Sequence, residues 1–119
     1  MIKHTIKAVL SSEDIAEIES ALNTLETKLG FTVALASRER MALHGMGPQN
    51  KAFADQALDG ALLNRDLIPP KVGLEAIQSD RTLREQLLPL MERIRALHRR
   101  VDDTVLILGS EYYAGARAI

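Results

Sequence analysis

Apolar residues recur at helical spacing in two long stretches of the chain. In the first stretch they follow at steps of three and four residues: Ile15, Ile18, Leu22, Leu25 and Leu29. Because residues three and four apart share one face of an α-helix, this spacing predicts an amphipathic helix. Ser11 is placed to cap its start, and the Asp14 carboxylate favours the positive end of the helix. Gly30 is expected to end the helix near Leu29 in a left-handed conformation.

The second stretch keeps a helical phase for about eight turns. Its apolar positions are Leu83, Leu87, Leu90, Ile94, Leu97, Val101, Val105, Leu108 and Tyr112. This pattern predicts a long helix that starts at a cap at Ser79 or Asp80, with a kink near Leu88 because Pro89 removes a backbone hydrogen bond. The alternative is a break at residues 102–104, where an aspartate would cap a separate final helix. We favour one continuous helix over residues 79–119.

Turn-forming residues divide the middle of the chain. Ser37 is placed to cap a short helical piece that Gly45 closes, and Pro48 suits the first position of another helix. That helix has a broad apolar side, made of Ala52, Phe53, Leu58, Leu62 and Leu63. It is expected to stop before Pro69 and Pro70, which cannot continue a helix. The first ten residues fit a helical turn and a strand equally well.

Length and composition favour an all-α protein with one domain. A chain of 119 residues with 46% hydrophobic residues is large enough to bury a core, and its four aromatic residues among many Leu, Ala and Ile suit helix packing better than strands. We therefore predict a single domain over residues 1–119, built as an up-down bundle of three to four helices with a long C-terminal helical segment.

Charge and cysteine content narrow the function classes. Lys and Arg total 15 against 16 Asp and Glu, without a basic block, so we expect neither nucleic acid nor a membrane surface as a partner. The amino terminus lacks the apolar run of a signal peptide, and the longest apolar run is far shorter than a bilayer requires. The chain contains no cysteine, which excludes thiol catalysis. A cytoplasmic location is the resulting expectation.

Four patches of sequence, taken in order, resemble a family of small bacterial all-α proteins. They are LASRERMALHGMG, FADQAL, LIPP and DDTVLILGSEYY, and the resemblance extends from about Glu13 to Tyr113. It implies two amphipathic helices followed by a long third segment. The family has no established activity, substrate or cofactor, so the resemblance implies no functional residue.

Motifs for metal or nucleotide chemistry are missing from the sequence. A di-iron helical bundle needs Glu-x-x-His pairs, and the chain contains none. The stretch HGMGPQNK has glycines and a lysine before a helix but lacks the spacing of a phosphate-binding loop. We therefore expect no cofactor and no metal site, assign no catalytic residue, and consider an enzyme less favoured than a binding protein.

Polar residues of the last helix define the alternative function. His98 lies four residues before Asp102, a spacing that allows a carboxylate to orient an imidazole but is also typical of an ordinary surface pair. If the protein instead binds a small ligand or acts as an enzyme in a pocket between helices, the side chains expected to contact the ligand are His98, Glu111 and Tyr112.

Residues 105–108 are apolar on every side of the last helix. At about 100° per residue, Leu106 and Ile107 point to opposite flanks of the apolar face. Such a turn must be covered, either by the rest of the domain or by a second copy. Self-association or binding of a protein partner is therefore the leading functional hypothesis. Its expected interface residues are Leu106, Ile107, Gly109, Tyr112 and Tyr113.

Overall fold

All regular structure that the computed structural model describes, over residues 4–119, is helical. The helices are α1 (Ser12–Lys28), α2 (Ser37–Ala42), α3 (Pro48–Leu63) and α4 (Leu74–Ala118), with 3₁₀ turns at Arg65–Leu67 and Pro70–Val72 between α3 and α4. The all-α prediction is confirmed.

Helix α1 begins and ends where its sequence predicts, with Leu29 as the residue that follows its last turn, but Gly30 does not close it as expected. The Ser11 hydroxyl accepts a hydrogen bond from the Asp14 amide at 3.0 Å, and the Ser11 amide donates to the Asp14 carboxylate at 3.4 Å, which forms a capping box. The expected left-handed conformation of Gly30 is wrong, since Gly73 is the positive-φ glycine among the described residues. Instead, the Gly30 amide donates to the Thr27 carbonyl at 3.2 Å. This tight turn supplies a hydrogen bond to a carbonyl at the end of the helix without a left-handed residue.

The middle helices largely follow their turn residues. Gly47 caps α3 in an extended conformation and Pro48 begins it, as predicted. Ser37 was expected to cap α2, but it lies inside that helix. The preceding Ala36 amide donates to the Glu39 carboxylate at 3.1 Å, so a glutamate within the first turn satisfies the free donor and no serine cap is needed.

Helix α4 contains 45 residues and passes through both Pro89 and the two aspartates after Val101. The prediction of one continuous helix is confirmed, whereas the predicted start at Ser79 or Asp80 is wrong. The helix begins at Leu74, directly after Gly73, whose left-handed backbone (φ 67°) ends the preceding 3₁₀ turn. No glycine or proline follows Gly73 until Pro89, so the segment before Ser79 continues as helix.

The described part of the amino-terminal segment, residues 4–10, has neither helix nor strand. Residues 1–3, which belong to the ten residues that fit both a helical turn and a strand, lie outside the described residues. Among the helices that the structure describes, none combines the length and the apolar character needed to cross a membrane.

The chain divides into two units. The first unit contains the described residues up to Ala42 together with Asp102–Ile119, and the second contains Leu43–Val101. Within the second unit, Leu58 of α3 is the most deeply placed side chain, at 5% exposure. Over residues 4–119 no other hydrophobic side chain is buried to that degree. Most apolar residues of the helices therefore keep a substantial part of their surface in water.

Candidate interaction surface

The apolar face of α1 is half exposed. We call Ile15, Ile18, Leu22 and Leu25 the α1 stripe; their exposures lie between 44% and 49%. All four recur on one side of the helix, because their spacing alternates between three and four residues. An amphipathic helix in a finished core would bury this side. The α1 stripe is therefore a contiguous, half-exposed apolar surface.

The part of α4 that belongs to the second unit carries a longer surface of the same kind. We call Leu83, Leu87, Leu90, Ile94, Leu97 and Val101 the α4 stripe. Its last four residues are between 44% and 54% exposed. Leu87 is half-buried. The exposed part of the stripe continues for three turns of helix, which is longer than the isolated apolar residues found on most protein surfaces.

The interface residues expected from the sequence lie in the first unit and are exposed. Leu106, Tyr112 and Tyr113 are 72%, 80% and 66% exposed, and Ile107 is 42% exposed. Gly109 is also exposed. The Arg117 guanidinium lies over the Tyr113 ring at 5.7 Å, one turn further along α4. The apolar turn at residues 105–108 is thus partly covered within the first unit and remains exposed by between 42% and 72% at each residue.

Glu111 is the most enclosed carboxylate of the first unit. Its side chain is 14% exposed, and its Oε1 accepts hydrogen bonds from both the amide and the hydroxyl of Thr5, each at 2.9 Å. These two bonds lower the pKa of Glu111 below its ordinary value, with a smaller contribution from His4, against the opposing effect of burial. The interaction ties the segment before α1 to the end of α4.

The other oxygen of Glu111 is buried without a hydrogen-bond partner. The His4 Nδ1 atom lies 3.9 Å from this Oε2 atom, so a protonated His4 is close enough for a weak ion pair. Glu111 therefore acts as an anchor for the amino-terminal segment.

The three proposed ligand contacts are divided between the two units of the chain. The Glu111 carboxylate accepts hydrogen bonds from Thr5. Tyr112 follows it in the sequence and is largely exposed. His98 belongs to the second unit and is exposed on α4. Within residues 4–119, the structure shows no group of three histidine or acidic side chains positioned to hold a metal ion.

A charged cluster links α3 to α4 in the second unit. Arg81 of α4 pairs with Asp59 at 2.8 Å and approaches Asp55 at 3.7 Å, and Asp55 also accepts a hydrogen bond from Lys51 at 2.6 Å. The Lys51 bond lowers the pKa of Asp55, and the Asp59 bond raises the pKa of Arg81 above its ordinary value. The cluster joins the two helices near Leu58.

A small cleft lies beside this charged cluster. Its volume is about 250 Å³, and its apolar floor contains Met46, Leu58 and Ile77. Sequence reasoning missed both the cluster and the cleft. The spacing of Lys51 and Asp55 could have indicated one helical pair, but no sequence signal places Arg81 beside Asp59.

Comparison with known proteins gives no relative: no family model, no curated protein and no solved structure matches this chain.

Proposed function

We propose that this protein is a self-association module, in which copies of the chain complete one another's hydrophobic core. The observation that carries this proposal is the half-exposed state of the α1 and α4 stripes, in a chain whose described residues include one deeply buried hydrophobic side chain. The loss of water contact by apolar surface is the main driving force for both folding and association.

The up-down bundle predicted from the sequence is then an assembly of helices from two or more copies. Helices with exposed apolar stripes reach a stable packed arrangement by placing those stripes against other helices. The proposed interface also contains the exposed residues Leu106, Ile107, Tyr112 and Tyr113. Gly109 belongs to it as well, because a residue without a side chain lets another helix approach closely. A non-enzymatic role and a cytoplasmic location are parts of this proposal.

The character of the exposed surface suits an obligate assembly. Interfaces of obligate homodimers are more hydrophobic than transient ones and resemble a divided domain core. The α1 and α4 stripes, which are apolar and about half exposed, have this character.

The test is the mass of the protein in solution. Light scattering coupled to size-exclusion chromatography, over a wide range of concentrations, should give a mass of two or more copies of the 13.1 kDa chain. Leu106→Glu and Ile107→Glu should each lower that mass or reduce solubility. Lys71→Glu, a change of an exposed residue in the 3₁₀ turn at Pro70–Val72, outside the proposed interface, is the control and should leave the mass unchanged. A helical monomer at every concentration would refute the proposal.

A second candidate, binding of a small ligand, draws on the cleft beside Leu58. Its apolar floor with a charged rim is the usual composition of a ligand site, but its volume of about 250 Å³ is below the range of about 300–1,000 Å³ for typical pockets. Native mass spectrometry of freshly purified protein would detect a retained molecule, and Leu58→Trp, which fills the cleft, should abolish its retention.

A further inference from the structure

The residues beside the α4 stripe are predominantly basic. In the seven-residue repeat of this helix, the stripe occupies two core positions, and the positions next to them lie at the edge of any helix–helix contact. On one edge stand Arg84, Met91 and His98, and on the other Gln86, Arg93 and Arg100. Neither edge contains an acidic residue. Packing two copies of the α4 stripe against each other would therefore bring basic edges together, with no acidic residue to pair with the arginines.

The residues beside the α1 stripe are predominantly acidic. The same repeat places Glu19 and Glu26 on one edge of this stripe, and Asp14, Ala21 and Lys28 on the other. Lys28, the last residue of α1, is the basic exception. Glu19 and Glu26 are exposed in the structure, as are Arg93 and Arg100. Packing two copies of the α1 stripe would place acidic residues near acidic residues: Glu19 near Asp14 in a parallel pair, and glutamates near glutamates in an antiparallel pair.

We propose that the α1 stripe of one copy packs against the α4 stripe of a second copy, and reciprocally. This inference rests on the proposed self-association and specifies which surfaces meet. Like charges at the edges disfavour pairing of a stripe with itself, whereas acidic edges against basic edges favour the mixed pair. The apolar residues supply most of the affinity, and the charged edges select the partner surface.

The dimensions of the two stripes are compatible. From Ile15 to Leu25 the α1 stripe extends for about 15 Å, and from Leu83 to Val101 the α4 stripe extends for about 27 Å, at 1.5 Å per residue. The shorter stripe therefore fits within the longer one. Glu19 and Glu26 are seven residues apart, the same separation as Arg93 and Arg100. In a parallel pair of helices, both glutamates can face arginines at the same time, because edge positions of this kind meet across a parallel contact.

Two charge-reversed proteins test the pairing. One carries Glu19→Arg with Glu26→Arg, and the other carries Arg93→Glu with Arg100→Glu. Each protein alone should self-associate about tenfold or more weakly than the unchanged chain, because like charges then face each other across the contact. An equal mixture of the two should associate with an affinity close to that of the unchanged chain, since each α1 stripe again meets an α4 stripe of opposite charge.

The mixture also distinguishes association between copies from packing within one chain. If α1 packed on its own α4, mixing the two proteins would restore nothing, because each chain would retain its own repulsion. Glu17→Arg and Arg99→Glu reverse charges away from both stripes and serve as controls that should leave association unchanged. Circular dichroism confirms that every variant is helical.

The possible failures are separable. If the unchanged chain is a monomer at all concentrations in sedimentation equilibrium, the proposed function is refuted and this pairing with it. If the unchanged chain associates but the reversed proteins associate equally well, or if their mixture is no stronger than either alone, the pairing is refuted while self-association stands.

Discussion

Shortening two neighbouring side chains of the α4 stripe should weaken self-association strongly. Ile94 and Leu97 lie on the same face of α4, three residues apart, and are 47% and 51% exposed in the single chain. Replacing both with alanine removes apolar surface that the assembly is expected to bury. Alanine also favours the helix, so α4 itself should remain intact.

The expected magnitude follows from the exposed fractions. Full burial of a Leu or Ile side chain contributes about 1.5–3 kcal/mol, so burying the remaining half contributes about 1 kcal/mol for each residue. Two residues in each of two copies give about 4 kcal/mol for a symmetric dimer, which corresponds to a dissociation constant about a thousandfold higher. A single Leu97→Ala change should raise it about thirtyfold.

Sedimentation equilibrium at several loading concentrations measures these dissociation constants directly. Arg99→Ala is the matched control, because it shortens an exposed side chain on the opposite side of the same turn and should leave the constant within about threefold. Equal dissociation constants for the unchanged chain and the Ile94→Ala, Leu97→Ala double variant, with equal helicity, would show that the α4 stripe is not an interface.

Three further changes test the fold of each unit. Leu58→Ala should lower the free energy of unfolding by about 2–3 kcal/mol in urea titrations, because Leu58 is 5% exposed. Leu63→Ala, on the same helix but at 86% exposure, is the control and should lower that free energy by less than about 0.5 kcal/mol. Equal losses for the two variants would contradict the burial pattern. Ser11→Ala removes the cap of α1 and should lower the free energy of unfolding by about 1 kcal/mol, which thermal unfolding measures as a lower midpoint. An unchanged midpoint would indicate that the capping box does not contribute to stability. The Thr5 bonds lower the pKa of Glu111, so their stabilisation is present above its ordinary value of 4.5 and is lost as the pH falls through the lower folded value. The protection factor of the Thr5 amide, that is, the exchange rate of an unstructured amide at the same pH divided by its own, should therefore fall in that acidic range, and Glu111→Gln should remove this pH dependence.

The helices themselves follow from local signals. The stripe that starts at Ile15 predicted α1, the Ser11 cap gave its first turn, and Pro48 marked the start of α3. Each depends on residues within one or two turns of one another, and such neighbours are adjacent in any helix regardless of the rest of the fold. The errors were local too: Gly30 and Ser37 are compatible with their predicted roles, but nearby backbone and side-chain groups satisfy the same hydrogen bonds.

The pairings between distant residues and the exposure of the apolar faces depend on the tertiary structure. The pattern of Leu and Ile in α4 indicates which side is apolar, but it does not indicate whether this chain covers that side. Arg81 meets Asp59, and Thr5 meets Glu111 at a separation of 106 residues, without any shared periodicity. Periodicity describes one helix at a time, whereas burial depends on which other surface packs against that helix, and in this protein the described residues leave the α1 and α4 stripes about half exposed.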